Sequence, residues 1–200
     1  MQTSVALEAG QVYHLYNRGN NRENLFRDEL DYRTFLRLYD AHISGVADTF
    51  AYCLLRNHFH LMVRARATTR ASEFVQSDGL ADPHQAFSNF FNAYAKTFNK
   101  RNGRTGRLFE QRFRRIVVDS DAYFAQLVVY IHRNPQRHGF VPDFRKWEWS
   151  SYAAHCSSLP TKVERDEVLG WFGGVDQFRA AHLPETDMPT LATYLADDPN

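Results

Sequence analysis

Two hundred residues suffice for one domain with a sizeable core, or one domain with an appendage. A hydrophobic share of 44% and a charged share of 24% are those of an ordinary soluble globular protein. No stretch reaches the roughly 18–20 apolar residues of a membrane helix, and no basic-then-apolar signal segment opens the chain. Cys53 and Cys156 stand far apart without a CxxC, which excludes a disulfide framework or thiolate zinc site, so a cytoplasmic protein is expected. The formal net charge of +1 hides an asymmetry. Tyr94 to Arg115 carries Lys96, Lys100, Arg101, Arg104, Arg107, Arg112, Arg114 and Arg115 against Glu110 alone, whereas Thr161 to Asn200 is predominantly acidic. Such a positive stripe is the footprint of a polyanion-binding face, most often for nucleic acid, or else a solvated basic loop; charge alone does not separate the two.

In chain order, V-Y-H-L-Y-N (12–17) alternates and predicts a strand, followed by a polar turn. Tyr32, Phe35, Leu36 and Tyr39 recur at helical spacing and predict a helix over about 28–44. Two β-rich runs, 49–55 and 58–64, flank Arg56-Asn57 and predict a hairpin. A second helix starts at Pro83 with Asp82 as its cap, buries Phe87, Phe90, Phe91, Tyr94 and Phe98, and ends in K-R-N-G-R-T-G. Leu108–Val118 predicts a further strand, and a third helix capped by Asp119 or Ser120 is expected to stop at Pro135. This order predicts an α+β fold with a small, mainly antiparallel sheet and helices packed on one face. K-W-E-W-S-S-Y is expected to dock on the core, and the segment from about Pro160 to be a helical appendage with a loose tail.

His58 and His60 interrupt the apolar run L-R-N-H-F-H-L-M-V. In a strand they share one face while Phe59, Leu61 and Val63 share the other, and their Cα atoms lie about 7 Å apart. That bite suits one divalent ion, although an isolated H-x-H is more commonly just a polar strand face. Zinc suits imidazole, but no further His or Cys stands at a zinc spacing, and a hard ion would need oxygen ligands from elsewhere. On the third helix, Tyr130 and Asn134 are one turn apart and share a face. Asn134 supplies a carbonyl oxygen and Tyr130 a phenol able to act as a nucleophile. Taken singly, Tyr130 also reads as core and Asn134 as a plain cap.

Together these residues resemble the HUH single-tyrosine transposases, and most closely their REP-associated tyrosine transposase branch. The motifs are Y-H-L-Y-N-R-G-N-N-R (13–22), N-H-F-H-L-M-V (57–63), N-K-R-N-G-R-T-G-R-L-F-E-Q-R-F-R (99–114), Y-I-H-R-N-P-Q-R-H-G (130–139) and W-E-W-S-S-Y (147–152). The pattern spans about residues 11–155; one departure is Leu55-Arg56, where members often have Met-Pro before the Asn-His.

The resemblance implies a ferredoxin-like domain over 1–155 and leaves 156–200 as an acidic appendage without an assigned role. It implies a metal-dependent single-stranded DNA endonuclease and strand transferase acting on hairpin or palindromic DNA through a 5′-phosphotyrosyl intermediate. Tyr130 would be the nucleophile, and His58, His60 and Asn134 would hold Mg²⁺ or Mn²⁺. Arg18, Arg22, Lys100, Arg101, Arg104, Arg107, Arg112 and Arg114 would contact DNA. The partner would be a REP-like single-stranded hairpin, met in the nucleoid by a monomer or homodimer. A non-cleaving nucleic-acid binder on the same fold is the alternative. A zinc hydrolase using a bound hydroxide is a third reading, which requires that Tyr130→Phe stay active.

Overall fold

The computed structural model describes residues 6–67, 82–110 and 113–183. The alternating run near the N-terminus forms β1 (Val12–Arg18), and the amphipathic segment after it forms α1 (Glu29–Ile43), whose N-cap Asp28 accepts the Asp31 N–H. The two β-rich runs form β2 (Ala47–Leu54) and β3 (His58–Ala65). They are followed by α2 (Pro83–Arg101), capped by Asp82, and by β4 (Arg114–Val118). The strands assemble as a four-stranded sheet in the order β2-β3-β1-β4, every neighbour antiparallel. With α1 and α2 as the two crossovers, this is the ferredoxin-like arrangement.

One face of the sheet presents Tyr13, Leu15, Phe59, Leu61 and Val63 to Phe35 of α1 and Phe87, Phe90, Phe91 and Tyr94 of α2. This is the expected single layer of helices. A second layer covers the other face: α3 (Asp121–Arg137) packs Tyr123, Leu127 and Ile131 against Val12, Phe50, Cys53 and Met62. Helices therefore lie on both faces, because Phe50, Cys53 and Met62 give the histidine face apolar area of its own to bury.

Two boundaries differ from the sequence expectation. β4 begins at Arg114, not Leu108: Phe109 makes a lone bridge with Gly19 and turns into the α1/α2 core beside Phe59, Phe91 and Tyr94. Its ring is thus core, as is much of Phe113. Likewise α3 runs through Pro135 to Arg137. Proline near a helix end forfeits only its own N–H, and the last turn is closed by the His138 N–H on the Asn134 carbonyl and the Phe140 N–H on the Pro135 carbonyl.

The W-E-W-S-S-Y segment docks along the outer edge of β2: Leu54 N–H donates to the Trp149 carbonyl, Ser151 N–H to the Tyr52 carbonyl, and the Trp147 indole N–H to the Leu54 carbonyl at 3.0 Å. Beyond it, α4 (Tyr152–Cys156), α5 (Arg165–Phe172) and α6 (Val175–Ala181) add Tyr152, Val168 and Phe178 to the cluster under α3.

A chain of buried polar side chains joins these parts, and its proton directions follow from its ends. His182 Nδ1–H donates to the Phe178 carbonyl at 2.7 Å, so its Nε2 accepts from His132 Nδ1–H at 2.9 Å. His132 Nε2 then accepts the Ser151 hydroxyl at 2.8 Å, whose oxygen in turn takes the Tyr52 N–H at 2.9 Å. Each imidazole must be neutral for the chain to close. Burial pushes His132 well below the ordinary histidine value, and holds His155 and His182 down at about 4. Groups held low in the folded state stay neutral while the unfolded chain takes up protons. Stability is therefore fully present above pH 6.5 and is lost as pH falls toward 4. By pH 5 the expected loss is on the order of 2 kcal/mol for each of His155 and His182. Urea unfolding followed by tryptophan fluorescence at pH 7.5 and pH 5 measures it; an unchanged midpoint would refute the coupling.

Candidate functional site

Antiparallel register sets the floor of the site, since paired residues point to the same face. One row across the sheet reads Cys53, His60, Tyr16, Arg114 from β2 to β4; the rows beside it pair His58 with Arg18 and Met62 with His14. His14, Tyr16, His58 and His60 are all buried, their face covered by α3. Of the residues singled out in the sequence, Tyr130 and His60 are brought together: the Tyr130 ring stands edge-on to His60 at 5.7 Å between centroids and to His14 at 6.4 Å. Asn134 lies one turn further along α3, fully buried.

The donor set has the orphaned atoms that a cation site requires. His58 Nδ1–H donates to the Asn57 side-chain carbonyl at 2.8 Å, which directs the lone pair of His58 Nε2 inward, buried and without a hydrogen-bond partner among the described residues. Asn134 donates its amide N–H to the Tyr130 carbonyl at 3.2 Å, leaving its side-chain oxygen buried and equally unpartnered. A buried acceptor with nothing to accept costs free energy, and a metal ion satisfies it. Desolvation holds His58 down at about 3 and His60 well below the usual range, so both rings stay neutral, the form that ligates metal. No cluster of three His, Cys, Asp or Glu exists among the described residues. Two neutral imidazoles and one amide oxygen are a donor set able to hold a divalent ion while leaving coordination positions open.

Asn57 is held by the loop after β1. The Gly19 N–H donates to the Asn57 carbonyl at 2.7 Å, and Leu25 and Phe26 N–H both donate to the Arg56 carbonyl. A Cβ at Gly19 would lie 1.9 Å from the Glu23 carbonyl oxygen, so only glycine fits this crossing. Arg56, one of the two residues that depart from the Met-Pro pattern, extends over the Phe140 ring at 5.8 Å.

Three site residues carried no assigned role in the sequence reading. Asn57 is one; His14 is another, its Nε2 3.0 Å from His60 Nδ1. The signal for His14 was its place in V-Y-H-L-Y-N, where alternation puts it on the His58 side. His138, just past α3, lies edge-on to His58 at 4.9 Å and is half-buried; burial lowers its affinity for a proton. Next to it, the exposed Arg137 places its guanidinium 5.3 Å over the Tyr130 ring.

The cationic residues separate into groups. Arg18 and Arg114 share the histidine face, Arg18 paired with Glu110 at 2.5 Å. Arg101 is held by Asp28 and Asp31, and Arg104 pairs with Glu23 at 2.5 Å, so both brace the loop joining β1 to α1. Lys100 and Arg22 are exposed. Arg107 is exposed along a groove of about 820 Å³ between α2 and residues 106–110, which Lys96 also lines. Arg112 lies outside the described residues. No helix among the described residues is long and apolar enough to cross a membrane.

Neither a protein-family model nor a curated protein matches the chain. The solved structure of a REP-associated tyrosine transposase bound to a REP hairpin is similar at a TM-score of 0.56 and 16% identity, over 81% of this chain and 90% of that one. A bacterial tRNA-histidine guanylyltransferase-like protein in complex with GTP is similar at a TM-score of only 0.37 and 9% identity, over 70% and 72%. The first likeness shows a shared fold; the second is too loose to bear on it.

Proposed function

We propose that this protein is a metal-dependent single-strand DNA endonuclease and strand transferase whose nucleophile is Tyr130. The observation that carries the reading is the Tyr130 ring standing against His60, with two buried acceptors, His58 Nε2 on the same strand and the Asn134 oxygen on the same helix, left without a partner among the described residues. The fold shared with a hairpin-bound tyrosine transposase supports it. His58, His60 and Asn134 would hold Mg²⁺ or Mn²⁺, which when bound would polarise a phosphodiester and stabilise charge on its non-bridging oxygens.

The chain's own residues do the rest. The Tyr130 oxygen attacks phosphorus, its proton passing to water; the O–P bond to Tyr130 forms as the bond from phosphorus to the 3′-oxygen breaks, and that oxygen takes up a proton. The product is a 5′-phosphotyrosyl linkage and a free 3′-OH. Because one phosphodiester replaces another, a second 3′-OH can reverse the step on a new strand without ATP. The Arg137 guanidinium over the ring favours negative charge developing on the phenol. Tyr130 is 1% exposed, so a phosphate reaches it only as a neighbouring side chain moves, and Arg137 is the exposed one lying over the ring.

The direct test mixes the protein with Mg²⁺ and end-labelled single-stranded hairpins from its own genome, then runs denaturing gels. A labelled protein band supports the proposal. Tight binding with no adduct on any hairpin would favour the non-cleaving binder.

Exposed cations should report DNA contact differently from paired ones. Lys100→Ala and Arg107→Ala are each expected to weaken hairpin binding for all sequences. Each should also reduce the slope of log affinity against log salt by about 1. Arg101→Ala instead releases Asp28 and Asp31 and is expected to lower thermal stability as well. Fluorescence anisotropy across a salt series separates these outcomes; an unchanged slope in the first two variants would remove those residues from the interface.

A further inference from the structure

The Nε2 atom of His14 lies 3.0 Å from Nδ1 of His60, both rings are fully buried, and they are nearly parallel, with centroids 5.2 Å apart. A neutral imidazole carries one ring proton, so the contact has two forms. If His14 donates from Nε2, His60 must carry its own proton on Nε2, and that nitrogen cannot ligate. If His60 donates from Nδ1, its Nε2 keeps a lone pair. The same choice has been made at His58, where Asn57 presents a carbonyl oxygen to Nδ1 and leaves Nε2 as the acceptor.

We infer that His14 is a positioning residue for the metal site: its Nε2 accepts the Nδ1 proton of His60 and so holds His60 in the tautomer that can bind a cation. This rests on the metal-dependent reading above and adds to it a third imidazole that binds no metal itself. β1 thereby supplies the partner for one ligand and the hairpin turn the partner for the other. Both ligand rings are oriented before a cation arrives, since an outer hydrogen bond fixes the tautomer and raises the basicity of the ligating nitrogen. The register explains why His14 can do this: it pairs with Met62, two residues along β3 from His60 on the same face, so its ring reaches diagonally to His60.

The test uses ¹⁵N-histidine-labelled protein, in which long-range proton–nitrogen correlations distinguish the two tautomers directly. Without added metal, wild-type His60 is expected to carry its proton on Nδ1; a proton on Nε2 would overturn the inference. Mn²⁺ binding, followed by electron paramagnetic resonance, is expected to weaken ten- to a hundredfold in His14→Phe, which keeps an aromatic ring but accepts nothing. His14→Gln, whose side-chain oxygen can take the same proton, is expected to recover most of that loss. Equal weakening in both variants, with both folded by circular dichroism, would mean that His14 only packs and would overturn the inference. Wild type that binds no Mn²⁺ would sink the metal-dependent function instead, while the tautomer of metal-free His60 would still decide the role of His14.

Discussion

Tyr130→Phe is expected to form no covalent adduct with hairpin DNA, a loss of at least about a thousandfold because the attacking atom itself is removed. The substitution deletes one oxygen and keeps the ring that stands against His60 and His14, so the fold and the metal site should persist. Hairpin affinity should stay within about twofold of wild type, since phosphate contacts to exposed cations supply most of it. The measurement pairs the denaturing gel with anisotropy on one labelled hairpin. If the variant still yields the adduct, Tyr130 is not the nucleophile. Two further buried tyrosines, Tyr94 and Tyr123, are poor substitutes. Tyr94 donates its hydroxyl to the Leu25 carbonyl at 2.6 Å on the opposite side of the sheet, and Tyr123 is buried toward the start of α3. The zinc-hydrolase reading predicts no adduct even with wild type and full strand cleavage by Tyr130→Phe, so adduct and cleaved strand on the same gel decide against one of the two.

The second large effect is expected from His58→Ala. It removes one of the inward-facing lone pairs and leaves the Asn57 carbonyl oxygen without its donor. Cleavage should fall below detection and Mn²⁺ binding should weaken by at least tenfold, while hairpin binding is nearly intact. Asn134→Ala should behave alike, because its side-chain oxygen is likewise buried without a hydrogen-bond partner among the described residues. Thermal unfolding separates loss of the site from loss of the fold. Wild-type cleavage by folded His58→Ala at the same Mg²⁺ concentration would remove His58 from the ligand set.

Much of this arrangement was legible in the residues. The 2- and 3.6-residue periods placed β1, α1, α2 and α3, and Asp82, Pro83 and Ser120 marked helix starts, because these signals act over a few neighbouring residues. Alternation put His58 and His60 on one face, and helical spacing put Tyr130 and Asn134 on another. The misreadings share one cause. Pro135 looks like a stop by local rules, yet the last turn of α3 closes around it; Leu108 and Phe109 look like strand, yet core packing turns them away.

The sequence by itself determined which elements form, which side chains share a face, and that two imidazoles, a phenol and an amide were available for chemistry. Only the tertiary structure decided that those faces meet, that Asn57 and His14 stand behind the two histidines, and that Arg101 and Arg104 are engaged by carboxylates. It likewise recruited His132 and His182 into a neutral chain beneath α3. The physical reason is range. Periodicity and capping are local properties of the backbone, whereas a tautomer, an ion pair or an orphaned acceptor depends on an atom about 3 Å away that belongs to a different part of the chain.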